Sequence, residues 1–205
     1  MTALSRKRQR TRTQIADAAA ALFERYGYEA VTMEQIAAEA GVARGTLYNH
    51  FAVKEAVLAE WMHARLAQDL APLMAQALAK PSFAARVATV LEASAQWWED
   101  HRQYAAPYLR FRFQAVRDGA GGHDGSDLVA AYAGLIDAAQ RSREIRDDVP
   151  PVRLARYLHF LYLSALLAWL GDADASLQAE FAHALEFFLQ GAAYRKPIPS
   201  PKDAR

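Results

Sequence analysis

Cysteine is missing from all 205 residues. Its absence removes disulfides, thiolate metal sites and cysteine nucleophiles together, and it suits a reducing cytoplasm, where the chain is expected to reside. Six histidines occur, but no two share metal-ligand spacing on one helix, and neither an HExxH pattern nor a catalytic-triad signature is present. His159 and His183 fall in apolar helical stretches, where a satisfied core histidine is the ordinary role. The reading is of a protein that is not an enzyme, with no metal and no cofactor. No secretory leader is expected, because Met1 to Thr13 is basic and polar with no apolar stretch behind it. Strand alternation, internal repeats and low-complexity blocks are also lacking.

What remains is an apolar, helix-forming chain. Hydrophobic residues make up 53% of it, enough for a sizeable core. The net charge is only +1 but is unevenly spread: residues 1 to 54 carry net +3 and the rest net −2. Arg6, Lys7, Arg8, Arg10 and Arg12 stand together at the start with no acid among them. Such an arm attracts phosphate, although a solvated, disordered terminus has the same composition.

Helical spacing predicts an all-α fold. Ile15, Ala18, Ala19, Leu22, Phe23 and Tyr26 share one face, and Gly27 ends that helix. A second helix starts at Thr32, which has capping-box spacing to Gln35, with Val31 and Ile36 placed as a hydrophobic staple. It ends at Ala40, and Gly41 can take positive φ there. A third, short helix runs from about Arg44 to His50, and a long one from about Lys54 to Ala79, with Val57, Leu58, Trp61, Leu70, Leu73, Ala77 and Leu78 suggesting its buried side. Further helices are expected near 83–103, 107–117, 127–142, 151–170 and 175–190. Asp118 to Asp127 reads as a mobile loop and Arg195 to Arg205 as a frayed tail.

Thr32 to Phe51 is the informative stretch. Two short helices are joined by a tight turn containing Gly41, and Ile36, Ala37, Ala40, Val42, Leu47 and Phe51 supply the inner contacts. Arg44, Gly45, Thr46, Tyr48, Asn49 and His50 are left facing outward. That surface has few of the charges that a solvated helix carries, and it suits entry into a major groove.

These residues resemble the helix-turn-helix of the TetR family of bacterial regulators. The shared pattern appears as Ile36-Ala37, Ala40-Gly41-Val42, Leu47-Tyr48, His50-Phe51 and Lys54, and extends back through Leu22-Phe23 and Tyr26-Gly27, so that residues 11 to about 62 are covered. The resemblance implies a three-helix N-terminal helix-turn-helix domain (residues 1–53, basic arm included), a larger helical effector-binding and dimerisation domain (54–194) and a flexible tail (195–205). It implies Tyr48, His50 and Lys54 as phosphate contacts, with Thr32 both a cap and a phosphate neighbour. Arg44, Gly45, Thr46 and Asn49 become base readers or close-approach positions. Two departures stand out. Ala43 replaces the usual serine, leaving the recognition helix without a side-chain cap, and Ala52-Val53 replaces a more polar pair.

The second part of the chain carries two further expectations. From Tyr157 to Leu170 only His159 and Ser164 are clearly polar, so this helix must be buried on two sides. The last helix has the same excess. By resemblance these two helices build a homodimer, with Leu158, Tyr162, Leu166, Trp169, Phe181, Leu185 and Phe188 as its interface. Trp97, Trp98, His101, Tyr104, Tyr108, Phe111 and Tyr132 are aromatic or polar residues of the middle helices. They read as core fillers or, by resemblance, as the lining of a pocket for a small hydrophobic or aromatic effector. The function implied is a repressor released from its double-stranded DNA operator when the effector binds, through reciprocal linkage of the two sites. The alternative is a lipid or hydrophobic-ligand carrier on the same fold, with no DNA role. No membrane partner is expected, since an apolar span of 14 residues falls short of the ~20 that a crossing needs.

Overall fold

The computed structural model describes residues 3–117 and 127–193. They form nine α-helices: α1 Ala3–Tyr26, α2 Met33–Glu39, α3 Arg44–His50, α4 Lys54–Leu78, α5 Phe83–Asp100, α6 Ala105–Arg117, α7 Asp127–Arg141, α8 Pro151–Gly171 and α9 Leu177–Ala192. A 3-10 turn, Arg102–Tyr104, joins α5 to α6. Among the described residues no strand forms; a single antiparallel bridge links Ile145 and Ala193. The expected loop up to Ser126 and the expected tail lie outside the described residues.

The chain divides into two compact units. The first holds α1, α2, α3, α4 as far as Pro72, and the chain from Gln96 through α6; the second holds α4 from Leu73, α5 as far as Ala95, and α7 to α9. The division falls at a proline inside a helix. Pro72 has no N–H to give the Gln68 carbonyl, so the ladder of α4 loses a bond there.

In the first unit, turn chemistry sets the helix ends. Gly27 (φ 80°) terminates α1 and donates to the Phe23 carbonyl at 2.9 Å. Gly41 (φ 62°) closes α2 in a Schellman motif, with Val42 N–H bonded to the Ala37 carbonyl and Gly41 N–H to that of Ala38. Thr32 and Gln35 make the full capping box: the Thr32 hydroxyl accepts from Gln35 N–H, and Thr32 N–H donates to the Gln35 side chain at 2.8 Å. Ile15, Ala19, Phe23, Ile36, Ala37, Leu47, Phe51, Val57 and Leu58 fill the core between these helices.

In the second unit α8 is the central element, packed against α7 and α9. The buried Ser94 hydroxyl on α5 and the Tyr162 hydroxyl on α8 lie 2.7 Å apart, and the Tyr162 ring stacks on Phe181 of α9 at 4.7 Å. Glu144 accepts from the Phe83 N–H at the start of α5 and from the Ser142 hydroxyl at 2.9 Å. Those bonds, led by the one from Phe83, hold its carboxyl below the usual glutamate range against the opposing effect of burial.

Several sequence expectations are corrected here. The basic arm is neither loose nor separate: from Ala3 onward it is the first part of α1. Tyr26 is 55% exposed, and Tyr28 takes the inner place beside Phe23. Leu78 is exposed rather than inward. Every residue assigned to the dimer interface, Leu158, Tyr162, Leu166, Trp169, Phe181, Leu185 and Phe188, is core within a single chain. The apolar side that a single chain leaves uncovered carries Val152, Tyr157, Phe160 and Leu167 on α8 and Phe187 on α9. The sequence showed that α8 is apolar all round, but not which half turns inward. With its N-terminal turns included α8 has 21 residues, long and apolar enough to cross a membrane by composition, yet half of it is buried inside this unit.

Gly27→Ala and Gly41→Ala should each cost about 1–2 kcal/mol in urea unfolding. The loss is conformational, because an added Cβ meets nothing within 4 Å at either site.

Candidate nucleic-acid interface

α3 spans seven residues, Arg44 to His50, and points Leu47 alone deeply inward. Arg44, Gly45, Tyr48 and Asn49 are exposed, while Thr46 and His50 are half-buried. Ala43 takes the cap position with no side-chain bond, as its side chain requires. Gly45 has an ordinary helical backbone, and a Cβ there would meet nothing within 4 Å. A mid-helix glycine sacrifices about 1 kcal/mol relative to alanine, and nothing inside the chain needs it.

The reading head is tied to α4 at two points. Lys54, the first residue of α4, donates to the carbonyls of Tyr28 at 2.7 Å, Val31 at 2.9 Å and Glu29 at 3.4 Å. Its ammonium also lies 4.2 Å from the centre of the Tyr28 ring. Its three donors are directed at main-chain oxygens, so it ties α4 to the turn between α1 and α2.

Arg12 makes the second tie. Its guanidinium pairs with Glu60 of α4, donates to the His50 carbonyl at 3.1 Å and covers the Phe51 ring at 4.4 Å. Gln9 adds a longer bond to Glu60 at 3.4 Å. One arginine thus connects α1, the end of α3 and α4. Burial alone would raise the Glu60 carboxyl, but the bonds and charge of Arg12, with Gln9, outweigh it and hold the group below the usual range. His50 is shifted down by burial and by the charges of Arg12 and Arg8, so near neutral pH it offers a neutral imidazole. Counting Arg12 with the basic arm hid this role, because no local pattern shows a partner 48 residues away.

Thr32 is exposed at the start of α2 and spends its hydroxyl on the cap. Arg44 pairs with Glu34 of α2 at 3.0 Å and lies over the Tyr48 ring at 5.5 Å. Arg44, Gly45, Thr46, Tyr48, Asn49 and His50 share α3, Arg44 joins it to α2, which Thr32 caps, and Lys54 is the member held by main-chain carbonyls.

The aromatic residues offered as effector lining gather as well. Trp97 stacks on His101 at 4.2 Å and meets Trp98 edge-on at 5.3 Å, and Trp98 packs on Tyr108 at 5.2 Å. Tyr104 meets Trp61 of α4 at 5.3 Å and Phe23 of α1 at 6.4 Å, which makes the cluster continuous with the core of the reading head. His63 of α4 lies 3.0 Å from the Tyr108 hydroxyl, and the Trp97 indole donates to Asp69 at 2.9 Å. Phe111 is half-buried on α6. Tyr132 belongs to the second unit, where its hydroxyl is buried with no hydrogen-bond partner, and burial drives its pKa well up. Among the described residues no group of three or more carboxylate or imidazole side chains could hold a metal.

Residues 15–61 match the model for the bacterial regulatory proteins of the tetR family. The helix-turn-helix of this chain is that of the TetR family. The chain is 29% identical to the HTH-type transcriptional repressor Rv1474c of Mycobacterium tuberculosis over 164 residues, 80% of this chain and 83% of that one. It is 26% identical to the A-factor receptor protein of Streptomyces griseus, covering 88% of this chain and 63% of that protein. Among solved structures it resembles the TetR-family repressor FadR of Thermus thermophilus, crystallised with lauroyl-CoA. That likeness has a TM-score of 0.72 and 26% identity, over 93% of this chain and 98% of the other. It covers both units, so the likeness to a TetR-family repressor extends beyond the reading head.

Glu60→Gln should make the protein less sensitive to acid. A carboxyl whose folded pKa is depressed lends stability that is complete above its unfolded value and is lost as pH falls through the folded one. Thermal melts of wild type and variant from neutral pH to about pH 3 should therefore converge on acidification. A gap that stays constant would show that Glu60 acts by packing alone.

Proposed function

We propose that this TetR-family protein is a dimeric repressor that reads operator DNA with the outer face of α3 and leaves it when a hydrophobic effector binds. The observation that carries the DNA reading is Gly45. The fold has no use for it, whereas a duplex backbone or base edge passing close to α3 would. Arg44, Thr46 and Asn49 are the side chains offered to bases, and Tyr48 and His50 those offered to phosphates. A carrier without a DNA role leaves both the exposed, charge-poor face of α3 and its two ties without purpose.

Dimerisation is assigned to the uncovered side of α8 and α9. Tyr157, Phe160, Leu167 and Phe187 are large apolar groups left in solvent by one chain, and an open groove of about 450 Å³ lies between Tyr157, Phe160 and Phe187. A second copy brought to this side would bury them and pair two reading heads for half-sites roughly 34–36 Å apart. A cytoplasmic location follows from a partner of this kind.

The effector is assigned to the aromatic cluster around Trp97, Trp98 and Tyr108, with an apolar tail as its main feature. Fatty acyl-CoA is the first compound to try, because the Thermus thermophilus relative was crystallised with lauroyl-CoA. Tyr104, touching both Phe23 and Trp61, gives the cluster a route to the reading head.

The DNA reading is tested by fluorescence anisotropy on duplexes selected from a random pool. Gly45→Ala should melt no lower than wild type yet bind its duplex at least tenfold more weakly; unchanged affinity would refute the close approach. Tyr48→Ala should weaken binding to all duplexes alike and leave the salt slope nearly unchanged, because an uncharged hydroxyl bonds a phosphate without displacing a counterion. Lauroyl-CoA titrated into the complex should release the DNA, and should bind more weakly to the DNA-bound protein by the same factor. Independent binding of the two would disprove the linkage.

A further inference from the structure

Glu34 has no part in the reading above, although its carboxylate stands beside the face assigned to DNA. The capping box of Thr32 and Gln35 fixes the first turn of α2, which places Glu34 in a set position. From there it reaches Arg44, the first residue of α3, at 3.0 Å. On its other side the same guanidinium lies over the Tyr48 ring at 5.5 Å. Both partners of the ion pair are well exposed, with 69% and 53% of their side chains accessible. Pairs this open add little to folding. A carboxylate at a surface that meets phosphates also repels DNA unless something neutralises it. The pair is thus poorly placed as a stabilising device and well placed to control one arginine.

We infer that Glu34 is a positioning residue for Arg44, directing its guanidinium to a base edge and keeping it off the phosphates. The inference rests on the assignment of α3 to the major groove. The chemistry follows from the guanidinium itself. It has five N–H donors in a rigid fork, and Glu34 engages one terminal nitrogen, Nη2, which leaves donors for the O6 and N7 of a guanine. A ring on one flank and a carboxylate on the other favour the rotamers that keep the arginine away from a phosphate. A paired arginine also adds little net charge, so the reading face gains selectivity without general attraction for duplex DNA. Without the carboxylate, Arg44 becomes an ordinary cation that binds any sequence through the backbone.

The test uses the full-length protein and its selected duplex, with each base pair replaced in turn. Wild type should lose about tenfold or more when the pair read by Arg44 is changed. Glu34→Gln should flatten that preference to within a few fold, tighten binding to unrelated duplexes and steepen the salt dependence by about one phosphate contact. Arg44→Ala should lose the preference at the same base pair, and adding Glu34→Gln to it should change nothing further there. Glu34→Asp keeps the charge but shortens the reach, so it should fall between wild type and Glu34→Gln. A Glu34→Gln variant that keeps full discrimination, or that lowers it equally with and without Arg44, overturns the inference while leaving the DNA reading intact. Wild-type protein that binds every duplex alike overturns the DNA reading, and this inference with it.

Discussion

A helix of seven residues cannot hold its own shape in water. The recognition helix is that short, and it must present its outer side chains in one fixed attitude. Everything in the first unit answers to this constraint. Leu47 anchors α3 from beneath, the Schellman turn at Gly41 sets its angle to α2, and Phe51 closes its far end under the Arg12 guanidinium. The missing cap at Ala43 makes such outside support more necessary.

Two ionic ties carry the support into α4. Lys54 gathers the turn between α1 and α2, and Glu60 holds Arg12 against the end of α3. The first two turns of α4 are therefore bound to the reading head by charge as well as by packing. Farther along, α4 meets the aromatic cluster through Trp61 and His63, before the break in its ladder at Pro72. A single helix thus carries the ties at one end and touches the candidate effector residues within three turns.

Local pattern and resemblance made the helices, their order and most of their ends legible. Capping boxes, positive-φ glycines and helical spacing are local signals, and α2, α3 and the start of α4 fell where those signals lie. Long-range partners were not legible. Arg12 looked like one more cation in a basic run, and only the folded chain brings it to Glu60 and His50. Lys54 matches a family pattern, and only the fold shows its ammonium against the carbonyls of Tyr28, Glu29 and Val31. The two most apolar helices, α8 and α9, pose a different problem. When almost every residue is apolar, spacing cannot tell the face that packs within the chain from the face left uncovered.

The acceptors that hold Lys54 are main-chain oxygens, and of the three residues supplying them only Tyr28 also uses its side chain. Glu29 and Ala30 lie exposed in that turn with no side-chain duty in the clamp. The charge and bulk of this turn can therefore change at these two positions without breaking the main-chain bonds of the clamp. Such substitutions would alter the electrostatic background of the head while leaving its architecture untouched.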